Sequence, residues 1–288
     1  MKTFQCFSFS RLALVMKRDW MENWKTNLYR FLGPYAGFLI VILFCYMADC
    51  DYESFAAIVV SAFTLVLFFG GAYNASLIME NMGTLQQRIS YLMLPATSLE
   101  KFVSRALYVT LGFFLMLVVA LLLAEATRYL FLPLFNLPEG YHQSVIPFVA
   151  DKLASVEIMK FTGTGAEESI RMGYLLIVIN WLGTLLGHSF FILCGCYWQK
   201  HPFWKTLGVM IFVSNLLGLF SILLLQSLGD VDWDIVEAWL EANLNWIHVE
   251  GVLTFVIVCM ALHLVFNWWL SYKLFTRSQV IQPKFRLL

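Results

Sequence analysis

The chain has 288 residues, 60% of them apolar and only 13% charged, with a mean hydropathy of +0.73 and 19 basic side chains against 19 acidic ones. A soluble domain is nearer a quarter charged, so composition excludes an ordinary water-soluble enzyme. The length accommodates about six spans of roughly 20 apolar residues and leaves no room for a separate nucleotide-binding domain of usual size. No partnership with nucleic acid is expected.

The first 30 residues form a basic arm carrying Lys2, Arg11, Lys17, Arg18, Lys25 and Arg30. Leu12, Met16, Trp20, Trp24 and Leu28 recur every four residues, while Arg11, Arg18 and Lys25 recur every seven on another face. This pattern predicts an amphipathic helix lying in a membrane interface, tryptophans at headgroup level and bases toward anionic lipid. No short apolar stretch with a small-residue cleavage site precedes the first span, so a cleaved signal peptide is not expected.

Six apolar stretches follow, at about 31–48, 54–77, 106–127, 172–197, 206–228 and 251–274. All are rich in Leu, Ile, Val, Phe and Met and nearly free of charge, with Glu125 near the outer end of the third. A charge in hydrocarbon is expensive, so these stretches read as transmembrane helices.

The connecting loops alternate in sign. Residues 48–53 hold Asp49, Asp51 and Glu53 and no base; residues 78–105 hold Arg88, Lys101 and Arg105. The long loop 128–171 has Arg128, Lys152, Lys160 and Arg171 against more acid, and 199–205 has Lys200 and Lys205. Residues 229–250 hold six acids and no base, and the chain closes on Lys273, Arg277, Lys284 and Arg286. On this cut 15 of the 19 bases fall on one side and 15 of the 19 acids on the other. Bases are retained on the cytoplasmic side. The expected fold is therefore an all-α polytopic protein of the bacterial cytoplasmic (inner) membrane. It has an amphipathic arm 1–30, a six-helix transmembrane domain 31–277, and a tail 278–288, with both termini cytoplasmic. In the acidic outer loop Val236, Trp239, Leu240 and Asn243 to Ile247 have the spacing of a short helix, which Trp233, Trp239 and Trp246 would anchor at the interface.

Motifs for chemistry are sparse. There is no G-x-x-x-x-G-K-[ST] loop, no H-E-x-x-H zinc site and no G-x-S-x-G elbow. Cys194 and Cys196 lie on an apolar helix without His or carboxylate at metal spacing, and the six cysteines imply no disulfide framework. No metal or resident cofactor is expected. His263 and Asn267, four apart on one helix face, match half of the motif set of CAAX-type intramembrane proteases. The other half falls one residue short, at Glu167-Glu168-Ser-Ile-Arg171. Polar residues within the spans are Asn180, His188, Asn215, His263 and Asn267, which read as interhelical hydrogen-bonding groups or as the lining of a substrate path. Gly183 and Gly187 form a G-x-x-x-G face suited to close helix contact, within one chain or between two.

The loop between spans two and three carries most information. Pro95 turns the chain, and Ser98 is placed to cap a helix that runs into span three. Leu92, Met93 and Leu94 form an apolar knob flanked by bases, a plausible docking element. The stretch LMLPATSLEKFVSRAL, residues 92–107, resembles the Leu-Pro-x-Ser-x-x-Glu-Lys-Phe segment of ABC-2 type permease subunits, particularly the Bacteroidetes type. The arm and the six-span layout resemble that family along the whole chain, whereas the motif covers about 20 residues. The long outer loop 128–171 departs from relatives that elaborate the region between spans five and six.

The resemblance implies an exporter half that pairs with a second permease copy or homologue and with a separate cytosolic P-loop ATPase, which binds the ATP and Mg. It also implies that Arg88, Leu94, Pro95, Glu100, Lys101 and Phe102 form the ATPase-coupling loop. The expected function is substrate export by alternating access, with no catalysis in this chain. The alternatives are a non-transporting membrane scaffold or sensor and, third, a CAAX-type protease.

Overall fold

The computed structural model describes residues 7–48, 50–134, 142–154, 166–198, 200–227 and 249–277. Among these residues all regular structure is helical. The arm contains α1 (Phe9–Glu22), broken at Asn23 from α2 (Trp24–Met47). A continuous run then comprises α3 (Tyr52–Leu65), a π turn (Val66–Gly70), α4 (Gly71–Ser76) and a 3₁₀ turn (Leu77–Met82). The short helices α5 (Leu85–Leu92) and α6 (Ser98–Leu107) follow. After a second π turn (Tyr108–Gly112), α6 continues into α7 (Phe113–Phe131). The remainder is α8 (Ile146–Ala154), α9 (Ala166–Tyr197), α10 (Pro202–Ser227) and α11 (Val249–Thr276).

Six of these runs are long and apolar enough to cross a membrane: Trp24–Met47, Tyr52–Met82, Ser98–Phe131, Gly173–Tyr197, Pro202–Leu224 and Glu250–Thr276. The six expected spans are thus all present as helices, but several extend further at the arm's end. Hydropathy registers only the apolar middle of a helix. The added turns carry Lys25, Arg30, Glu80, Lys101 and Arg105, which favour a helix sufficiently without being apolar. The helix after Pro95 begins one residue earlier than read from sequence, with Thr97 as its cap. The Thr97 hydroxyl accepts from the Glu100 N–H at 3.2 Å while the Glu100 carboxylate accepts from the Thr97 N–H at 2.8 Å. That reciprocal pair needs a hydroxyl three residues before a carboxylate, which Thr97 supplies and Ser98 does not. The helix proposed around Trp239 lies outside the described residues.

Two apolar cores divide the bundle. The first joins α2, α3, α7 and the start of α8 through Phe38, Phe55, Phe63, Leu117 and Val149. The second joins α4, the 3₁₀ turn after it, α5, α6, α9 and α11 through Ala75, Ile78, Tyr91, Phe102, Ile192 and Phe275. α9 and α11 pack along each other, with Gly183 facing Met260, although a Cβ at 183 would make only an ordinary contact, 3.5 Å from the Met260 methyl. α4 and α9 meet at Gly195, whose missing Cβ would lie 2.9 Å from the Ser76 carbonyl carbon, so backbone takes the space of a side chain. α10 touches its neighbours near its first turn, where Thr206 is buried, and is exposed beyond it.

The two π turns sit on adjacent runs. A π turn frees a backbone carbonyl, which in hydrocarbon must find another donor. Asn74 of α4 supplies it, donating from Nδ2 to the Val109 carbonyl at 2.8 Å. Near the C-terminal end of α7, Arg128 forms a fork on Glu125, with Nε and Nη2 each 2.8 Å from a carboxylate oxygen. Glu125 also accepts from the Val145 N–H, and Arg128 donates to the Gln143 carbonyl. The acid in span three is therefore paired and stitches the segment before α8 onto the bundle.

Candidate functional site

The arm, the loop between the second and third runs, and the end of α11 converge. Glu100 is the hub. It is fully buried and accepts from the Ser8 N–H at 2.7 Å, from the Thr97 N–H, and from Arg11 at 3.2 Å (Nε) and 2.9 Å (Nη2). Hydrogen bonds from Arg11 hold its carboxyl well below the usual carboxylate range, against the opposing effect of burial. It lies two turns before Ala106, where the charge-free part of its helix begins. The ion pair ties α1 to α6, which pack along each other.

The next residues close the loop. Lys101 donates from Nζ to the Leu92 carbonyl at 2.8 Å, and Tyr91 donates its hydroxyl to the Lys101 carbonyl at 3.1 Å. These bonds span the turn at 93–97 from both sides. Phe102 enters an aromatic nest on α11, with ring centroids 6.1 Å from Trp268, 5.5 Å from Tyr272 and 5.5 Å from Phe275. Arg88 donates to the Met82 carbonyl, and Arg105 to the Ile78 and Leu77 carbonyls. The two arginines satisfy the carbonyls left free where the second run ends in a 3₁₀ turn. Glu80 on that turn takes Arg30 at 2.6 Å and lies 4.0 Å from Arg105.

Of the six residues singled out in this loop, Arg88, Glu100, Lys101 and Phe102 are therefore buried and bonded within the chain. Leu94 is half-buried and Pro95 exposed. The outward surface of the loop belongs to Met93 (80% exposed), Pro95 and Leu99. Sequence reading identified the apolar knob but not which of its members face out.

Asp19 on α1 was not singled out from the sequence. It is fully buried, accepts from Asn81 Nδ2 at 2.9 Å, and its backbone carbonyl accepts from Asn23 Nδ2 at 2.9 Å. Burial raises its carboxyl to about 6, opposed by Arg105. A raised acid favours the protonated fold, so its contribution is complete below the unfolded value near 3.8 and fades as pH rises through about 6. Asp19→Asn keeps the acceptor for Asn81 and removes the titration. Its melting temperature relative to wild type, measured in micelles, is expected to rise between pH 4 and 7, by a few kcal/mol of stability at most. A difference that is flat with pH would rule out this account.

The polar residues of the spans do not converge. Asn267 is buried and donates to Ser189 Oγ at 3.0 Å, joining α11 to α9. His188 is half-buried, near Gly71 and hydrogen-bonded to the Val109 backbone. Asn180, Asn215 and His263 are exposed, and Asn215 bonds only back to its own helix at Ile211. His263 and Asn267 share a face by spacing, yet only Asn267 is covered. The side chains of Glu167, Glu168 and Arg171 lie outside the described residues. Among the described residues no three His, Cys, Asp or Glu side chains cluster as a metal site.

No protein-family model, no curated protein and no solved structure matches this chain.

Proposed function

We propose that this chain is the transmembrane permease subunit of an ABC-2 type exporter of the bacterial inner membrane, coupled to a separate cytosolic ATPase. The observation that carries the reading is the construction of the loop between the second and third runs. Two capping-box helices, α5 and α6, form a compact unit in which Arg88, Glu100, Lys101 and Phe102 are buried while Met93, Pro95 and Leu99 are exposed at its tip. An exposed apolar patch of this kind marks a binding surface. The unit is bonded both to the arm, through Glu100, and to α11, through Phe102. Force applied at the tip is therefore passed by direct contacts to α1, which leads into the first span, and to the last span.

In this reading the basic loops and both termini are cytoplasmic, by the distribution of Lys and Arg. α1 lies in the interface, with Phe9, Leu14, Trp20 and Met21 exposed toward lipid. The chain supplies no catalysis; ATP closes the partner subunits, and a second permease copy completes the path. A non-transporting scaffold is the second reading, favoured by one fact: Asn180, Asn215 and His263 are exposed side chains on three different helices.

The test is a mild-detergent pull-down of the tagged chain from its host, with mass spectrometry and an ATPase assay. A P-loop ATPase is expected with wild type and is expected to be lost from Met93→Asp/Leu99→Asp. These two positions are exposed, so the variant keeps its fold, checked by melting temperature. A folded wild-type chain that brings down no ATPase would leave the scaffold reading in possession.

A further inference from the structure

A groove of about 530 Å³ opens on the surface of the bundle between the arm and α7. Trp20, Trp24 and Leu28 form one wall, with Phe31 at its deeper end. Gly112, Leu115 and Val119 form the facing wall, at positions that share one face of a helix. The only polar side chain in its lining is Asn27, and the Tyr108 hydroxyl already occupies that residue's oxygen. Nothing in the groove asks for a polar ligand below its mouth.

Its dimensions choose among apolar occupants. From Gly112 to Val119 is seven residues, or about 10 Å along the helix. One leaflet of hydrocarbon is about 15 Å deep, and a helix crossing both leaflets needs about 30 Å of matching surface. The groove suits a chain entering from one side and ending short of the midplane. Its mouth is ringed by indoles, which prefer the headgroup level.

The mouth is also positive. Lys25 places Nζ 5.9 Å from the centre of the Trp24 ring, and Lys17 lies one helical turn before Trp20, exposed. The other bases of α1, both half-buried, are engaged, Arg11 with Glu100 and Arg18 with Glu22. Lys17 and Lys25 have no carboxylate partner among the described residues.

We propose that this groove is a binding site for an anionic phospholipid, one acyl chain lying between Trp24 and Leu115 and its phosphodiester headgroup held by Lys17 and Lys25. The inference rests on the interfacial placement of the arm. A lipid seated there fills the space between α1–α2 and α7 and makes the arm's position depend on the charge of the surrounding leaflet. The exporter half would then sense whether it lies in an anionic membrane.

The protein is reconstituted in phosphatidylcholine vesicles doped with chain-brominated phosphatidylglycerol or chain-brominated phosphatidylcholine, and tryptophan fluorescence is followed. Bromine quenches indoles at contact. The brominated anionic lipid is expected to quench at a lower mole fraction, by about five-fold for each lysine that meets the headgroup. Trp20→Phe/Trp24→Phe is expected to remove that difference. Lys17→Gln/Lys25→Gln is expected to abolish the preference while leaving quenching by the neutral lipid intact. Leu115→Phe/Val119→Phe, which fills the groove, is expected to reduce quenching of the pair by both lipids. Equal quenching of wild type by the two lipids, or a preference surviving the lysine substitutions, overturns the site but leaves the interfacial arm standing. No quenching of Trp20 and Trp24 by either lipid overturns the arm's placement and the site together.

Discussion

Arg128→Ala is expected to cost about 3–5 kcal/mol of stability, the usual consequence of removing one partner from a buried ion pair. Both carboxylate oxygens of Glu125 are engaged by this guanidinium, and the arginine side chain is fully covered. Its flat faces are also used, standing 5.5 Å from the Phe55 ring centre and 4.6 Å from that of Tyr129. Removing it leaves a carboxylate without its counter-charge near the C-terminal end of an apolar helix. It also frees the Gln143 carbonyl, so the segment before α8 is expected to exchange its amide hydrogens faster, beginning with the Val145 N–H that Glu125 holds. Glu125→Ala/Arg128→Ala removes both charges together and is expected to be less damaging than Arg128→Ala alone. Denaturation in micelles measures the first claim and hydrogen exchange the second. A single variant within about 0.5 kcal/mol of wild type, the range of an ordinary surface change, would show that the pair holds nothing.

The elements that the sequence made legible are those that depend on composition over about 20 residues. Six such stretches cannot be soluble helices, and hydrophobicity alone sets their number and approximate place. Their ends were less legible, because Lys25, Arg30, Lys101 and Arg105 continue a helix that hydropathy has already stopped counting. The interruptions were not legible at all. Residues 66–70 and 108–112 contain no proline, and their π turns become intelligible only with Asn74 beside the Val109 carbonyl, 35 positions away. The pairing of Glu125 with Arg128 was available from i,i+3 spacing, but reading Arg128 as the first residue of a loop hid it. In the arm–loop junction the local half of the geometry was readable: Thr97 and Glu100 stand at capping-box spacing. The other half, Arg11, arrives from 89 residues away, and no local pattern announces it. For the same reason the loop's residues drew notice together, although burial separates Met93 and Pro95 from Glu100 and Phe102.

That separation makes Glu100→Ala the most informative single change at the junction. The substitution removes the returning half of the capping box of α6, the bond from the Thr97 N–H to the carboxylate, while the Thr97 hydroxyl still caps the helix. It also takes the Glu100 carboxylate from Arg11 and the acceptor from the Ser8 N–H, so this ion pair no longer holds the start of α1 on α6. The six apolar runs retain their own packing, since neither apolar core has a buried member in α1. Limited proteolysis is therefore expected to cut residues 7–23 at least ten-fold faster, as local opening becomes cheaper by about 1.4 kcal/mol or more, while the remaining fragment stays intact. The effect should persist in Glu100→Gln, which keeps the volume but not the charge, in proportion to what the fork contributes over a neutral hydrogen bond. In an ATPase pull-down, Glu100→Ala and Met93→Asp/Leu99→Asp then test different things. The exposed pair tests whether a partner docks at the tip, and the buried acid tests whether docking is transmitted to the arm. A Glu100 variant that still binds the ATPase but no longer stimulates its turnover with wild type would assign the ion pair to transmission. One that keeps both, with its arm demonstrably loose, would remove the arm from the coupling path and leave Phe102 and α11 as the remaining route.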